Sequence, residues 1–175
     1  MEAQVFLICF LVVIGIIFVQ IVLRRLMNKG VNAVERAIRP EAAQQSDSLL
    51  GTTVIFETTA TIAVVRQSVA SNVPVVDKIG HKMKVLDDSA SGISWAIGLP
   101  SMGSGAVVVL RYKEKDGGTI AMFEVTQHVT KGGVSPFVNQ LTELRNQVIT
   151  AFRAADPNVK VTSDTHDVTY KMSWF

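Results

Sequence analysis

A chain of 175 residues with 17 basic and 15 acidic side chains has room for one domain of ordinary size and a short appended segment. The charge is uneven: residues 24–41 carry five basic and two acidic side chains, and residues 42–175 carry twelve of each. A neutral domain offers no attractive field to a phosphate backbone, which argues against nucleic acid as a partner, and a single cysteine, Cys9, rules out an intrachain disulfide.

Residues 1–4 form a short stretch without Lys or Arg. Residues 5–23, "VFLICFLVVIGIIFVQIVL", are apolar except for Gly15 and Gln20. At about 1.5 Å per helical residue, this run predicts a transmembrane helix across a hydrocarbon core of about 30 Å. An export signal would carry a basic start, a shorter core and a small-x-small cleavage site, and a lipoprotein signal would need a small residue where Ile8 precedes Cys9. An uncleaved signal-anchor is therefore expected. A helix buried in a soluble core is the alternative, and a run this apolar on every face argues against it. The flanking charges Arg24, Arg25 and Lys29 predict a single-pass cell-membrane protein with its N-terminus outside and its domain cytoplasmic. The same three side chains are expected at anionic lipid headgroups. Gly15 and Gln20 are the candidate contacts with a partner helix, since small and amide residues serve at such interfaces.

Residues 24–48 read as a basic juxtamembrane segment and a polar linker. Met27, Val31, Val34 and Ile38 make a narrow helical stripe that Pro40 is expected to end, with "EAAQQSDS" (41–48) as linker. The domain follows over 49–175. "TTVIFET" (52–58) is β-branched and predicts a strand. Thr59 or Thr61 opens a short helix with Ile62, Val65 and Val69 on one face, ending near Asn72. "HKMKVL" (81–86), "GISWAIGL" (92–99), "AVVVLRYKEK" (106–115) and "TIAMFEVTQHV" (119–129) predict four strands, the last two joined at Asp116-Gly117, a pair that tolerates positive φ.

Ser135 and Pro136 open the longest helix. Phe137, Leu141, Leu144, Val148, Phe152 and Ala155 line one face, while Asn139, Glu143, Asn146 and Arg153 mark the wet one. The alternation of Val168, Tyr170, Met172 and Trp174 predicts a closing strand. The order gives an α+β fold: an antiparallel sheet with a short helix and a long C-terminal helix on one face. Strand, helix, strand meander and long helix over 52–156 resemble the helix-grip architecture of the START and Bet v 1-like superfamily. The short first helix and the strand after the long one depart from it. The resemblance implies a cavity for a small hydrophobic ligand lined by Phe137, Leu141, Leu144 and Val148; the bland alternative is that these residues fill the core.

The sequence carries no catalytic motif, no cofactor motif and no metal set. Asp164, His166 and Asp167 in "SDTHDV" read as a solvated turn, since a tight metal site needs about four converging ligands. "GLPSMGSG" (98–105) lacks the lysine and the following helix of a phosphate loop. Met102 at its tip is the candidate partner contact, a flexible thioether that adapts to apolar surfaces. The expectation is a non-enzymatic accessory subunit bracing or regulating integral membrane proteins of a larger complex, of the electron-transport or transport kind. The alternative is a membrane-tethered lipid or hydrophobic-ligand-binding module.

Overall fold

The computed structural model describes residues 15, 17–22, 37–73, 77–78, 81–99, 104–130 and 134–166. From Pro40 onward the elements are α1 (Pro40–Leu50), β1 (Thr52–Thr58), α2 (Ile62–Asn72), β2 (Asp77–Lys78), β3 (His81–Ser89), β4 (Gly92–Leu99), β5 (Ser104–Lys115), β6 (Gly118–His128), α3 (Val138–Ala155) and β7 (Lys160–Thr165). The strands form one sheet in the order β2-β3-β4-β5-β6-β1-β7, with every pairing antiparallel. The fold is mixed α+β.

Period-two alternation decides which face of each strand is covered. Val54 and Phe56 of β1, Ile93, Trp95 and Ile97 of β4, Ala106, Val108 and Leu110 of β5, and Ala121 and Phe123 of β6 are buried. They meet Val65 and Val69 of α2 and Leu141, Leu144, Val148, Ala151 and Phe152 of α3 in one core. The rings of Phe56 and Phe152 stack there with centroids 4.1 Å apart and an interplanar angle of 15°. The β5–β6 hairpin turns at Asp116 and Gly117, with φ of 51° and 78°. Both central residues in the left-handed region make the mirror-image turn whose twist suits a tight hairpin.

Two expectations are corrected. Of the apolar run 5–23, Gly15 and residues 17–22 are among the described residues, and they are helical and exposed. Among the described residues no helix is long and apolar enough to cross a membrane, which overturns the transmembrane, single-pass reading. A span needs about 20 apolar helical residues, and none of the described helices offers them. The linker expected over 41–48 is instead helical, within α1. Residues 37–38 are helical and the helix breaks at Arg39, as the proline predicts, but Pro40 also begins α1, because the first turn has no use for the N–H that proline lacks. Ala43, Ser46, Leu49 and Leu50 are its buried residues, spaced to form one stripe that rests on α3 and β6.

Smaller differences follow from strand chemistry. β3 runs on through Asp87, Asp88 and Ser89, with a register shift between Val85 and Asp87, so the turn there narrows to Ala90 and Ser91. β2 adds a two-residue strand. The strand after the long helix is β7, and it pairs with β1. The predicted strand over 168–174 lies outside the described residues.

Asp156 holds the end of α3 to the start of α2. Its Oδ2 accepts from Thr58 Oγ1 at 2.7 Å, Thr59 N at 3.1 Å and Thr59 Oγ1 at 3.0 Å, and its Oδ1 accepts from Asn158 N at 2.8 Å. The bond from Thr58 first, then the backbone N–H groups of Asn158 and Thr59, hold its carboxyl down at about 2, below the usual carboxylate range. A depressed folded value stabilises the fold above the unfolded value of about 4, and that contribution is lost as pH falls from about 4 through 2. Asp156→Asn is expected to be less stable than the parent at pH 7. The gap should close as the pH is lowered through this window, read by urea unfolding at steps from pH 7 to 2. A gap independent of pH would remove the carboxylate from the account.

Candidate functional site: an uncharged groove over the long helix

The outer face of α3 is the floor of a groove of about 440 Å³, to which α1 and the end of α2 each add a side chain. The floor is Asn139, Thr142, Glu143, Asn146, Gln147 and Thr150; Gln45 of α1 and Asn72 of α2 complete the lining. The spacing along α3 is that of one helical face, and the floor rows rise about 5–6 Å apart. Five of the eight lining groups are carboxamides and one is a carboxylate. A carboxamide brings two donors and an acceptor with no charge to desolvate.

Some of this hydrogen-bonding capacity is spent internally. Asn72 Nδ2 donates to Ser68 O at 2.8 Å, Gln147 Nε2 to Glu143 Oε1 at 3.2 Å, and Thr142 Oγ1 to Val138 O at 2.8 Å. Gln45, Asn139 and Asn146 are exposed and face the groove. The arrangement can hold a partner by directional, neutral hydrogen bonds. It contains no nucleophile beside a base.

A second cleft, of about 290 Å³, opens at the β5–β6 turn. Glu57, Lys115, Lys160, Asp116 and Asp156 line it with Thr58, Thr59, Thr119 and their neighbours. Lys115 and Lys160 approach Glu57 at 3.5 and 3.7 Å. Its deepest carboxylate, Asp156, is already committed to the four bonds above, so the cleft reads as the mouth of a structural clamp. On β5, the hydroxyl of Tyr112 is buried without a hydrogen-bond partner, and burial pushes its ionisation up. Above it Arg66 of α2 and Asp88 of β3 pair at 2.7 Å. Burial also lowers the pKa of His128.

The residues singled out from sequence fall in different places. Phe137, Leu141, Leu144 and Val148 are 7%, 1%, 1% and 0% exposed and belong to the main core; neither cleft described above is lined by them. Gly15 and Gln20 are helical and exposed, and a methyl at Gly15 would meet nothing within 4 Å. Arg24, Arg25, Lys29 and Met102 lie outside the described residues. Glu124 pairs with Arg111, and His166 uses its backbone N–H on Gly51 O at 2.8 Å. Among the described residues no group of three or more His, Cys, Asp and Glu side chains could hold a metal ion.

Sequence reasoning placed Asn139, Glu143 and Asn146 on the wet face of α3 without seeing a groove there. The missing wall was Gln45, inside the segment read as linker. Its signal was present: a proline followed by a stripe at Ala43, Ser46, Leu49 and Leu50.

No protein-family model matches this chain, and no curated protein matches it. A solved structure that resembles it, that of protein Ms6760 from Mycobacterium smegmatis, is 15% identical with a TM-score of 0.30, covering 61% of this chain and 85% of that one. That likeness is too low to carry an argument, and it does not assign the chain to the helix-grip superfamily.

Proposed function

We propose that the domain is a non-enzymatic accessory module that docks on a partner protein through the groove over α3. The observation that carries this reading is the lining: eight side chains from three helices with one formal charge among them. Solvated helix faces are ordinarily rich in Lys and Glu, whereas the centres of protein interfaces are depleted of charge. Asparagine-to-arginine changes at Asn139 and Asn146 place bulk and unpaired charge in the groove without touching the core. The test is purification of the full chain through a C-terminal tag, with the doubly substituted form beside it. A stoichiometric partner is expected with the parent chain, and its recovery should fall at least about tenfold with the double variant, as for loss of a central contact. Undiminished recovery would overturn the groove as the docking site.

The second reading is a module for a small hydrophobic ligand within a helix-grip fold. Two observations favour it. β6 lies beside β1, so the meander β2–β6 folds back on the first strand with the long helix across one face, as the resemblance implies, while β7 on the far side of β1 departs from it. The unpartnered Tyr112 hydroxyl is a buried polar group that a bound molecule would satisfy. A lone protein carrying a stoichiometric lipid in native mass spectrometry would select this reading over the first.

A further inference from the structure

The groove and the chain that enters the domain are joined by a short buried relay. Ser46, in the middle of α1, is 0% exposed, and its Oγ accepts from the backbone N–H of Ser135 at 2.9 Å. Ser135 is 3% exposed, and its own Oγ accepts from Phe137 N at 3.2 Å. Phe137 is the residue that caps α3, and its carbonyl accepts from Leu141 N at 2.9 Å. Two serines thus carry a hydrogen-bond path from α1 into the first turn of α3. Gln45, next to Ser46, and Asn139, one helical turn past Ser135, both line the groove.

We propose that α1 is a movable wall of the groove, and that its docking through the Ser46–Ser135–Phe137 relay couples the N-terminal segment to partner binding. The inference rests on the groove being the docking site and adds how it is regulated. The stripe that α1 buries is Ala43, Ser46, Leu49 and Leu50, and among the described elements it packs mainly on α3 and β6. A short element held by few contacts opens at lower free energy than the sheet it covers. Its first residue, Pro40, is where the preceding chain arrives, so a force or contact on that segment acts directly on the wall. A partner that uses Gln45 binds only the docked form, and linkage requires that it stabilise docking by the factor that docking strengthens binding.

The test uses the full chain without any partner, so it can fail while the docking site stands. Hydrogen exchange is followed by mass spectrometry in the parent, in Ser46→Ala and in Gln45→Ala. Ser46→Ala keeps the packing volume and removes the acceptor. Amides of α1 and of the first turn of α3 are expected to exchange together, about tenfold faster than in the parent, the factor for one lost buried hydrogen bond. Amides of β4 and β5 should be unchanged, and Gln45→Ala should match the parent throughout. Faster exchange confined to α1 would break the coupling, and a uniform rise across the sheet would reduce Ser46 to a general stabilising residue; either overturns the proposal. Groove variants that keep their partner while α1 and α3 still open together would instead count against the docking site alone.

Discussion

Replacing Phe152 with alanine is expected to cost about 3–5 kcal/mol, the range for emptying a fully buried aromatic site. Both Phe152 and Phe56 are 0% exposed, and their stacked rings add about 0.5–1.5 kcal/mol to the burial of either alone. The ring ties the last turns of α3 to β1, the strand that lies between β6 and β7. Collapse into the void is resisted because its neighbours Leu144, Val148 and Ala151 are fixed on the same helix. A domain of this size has about 5–15 kcal/mol in all, so the variant should sit near its unfolding threshold. Urea unfolding followed by circular dichroism should show a lower midpoint with an unchanged slope. Phe152→Leu, which keeps most of the volume, should lose less than about 1.5 kcal/mol. A loss below that figure for the alanine variant would show that this core is not packed around the ring pair.

Gly118→Ala is expected to reach the upper end of the range of about 1–3 kcal/mol for overpacking a closed site. A Cβ built on Gly118 would lie 2.2 Å from Thr58 O and 3.1 Å from Thr59 Cα. Both are backbone atoms, so no side-chain rotation relieves the contact. Thr58 and Thr59 also hold Asp156, and Thr119 Oγ1 donates to Ala60 O at 2.7 Å. Moving the β1–α2 turn away from a new methyl therefore strains the clamp and the β1–β6 edge together. Thermal unfolding of Gly118→Ala should show that loss, while Gly15→Ala, with open space around it, should change the domain's transition by no more than about 0.5 kcal/mol. Equal stability of the two variants would mean that the turn can yield freely. If Gly118→Ala also removes the acid sensitivity attributed to Asp156, the clamp and the glycine act as one unit.

The legible parts of this protein are those whose signal is local and periodic. The stripe on α3 put Leu141, Leu144, Val148 and Phe152 on one face, and all four are buried. Asp116-Gly117 marked the hairpin because few residue pairs tolerate two positive φ angles. α1 was missed because its cue was a proline that local rules read as a stop, and because its apolar stripe is thin. Only the presence of α3 and β6 beside it makes four buried residues enough to hold a helix. The groove was missed for the same reason. Asn139, Glu143 and Asn146 are an ordinary wet face on an isolated helix, and become a floor only when a neighbouring helix supplies Gln45.

By itself, then, the amino-acid order determined the α+β class, the succession of strand, helix, meander and long helix, and most of the buried face, because side-chain period is a property of the chain next to itself. Tertiary structure alone decided that β1 lies between β6 and β7, that Asp156 clamps Thr58 and Thr59 from 97–98 residues away, and that α1 walls a groove. Each of these depends on which distant groups meet, and a hydrogen bond or a buried contact has no signature in sequence until both partners are in place.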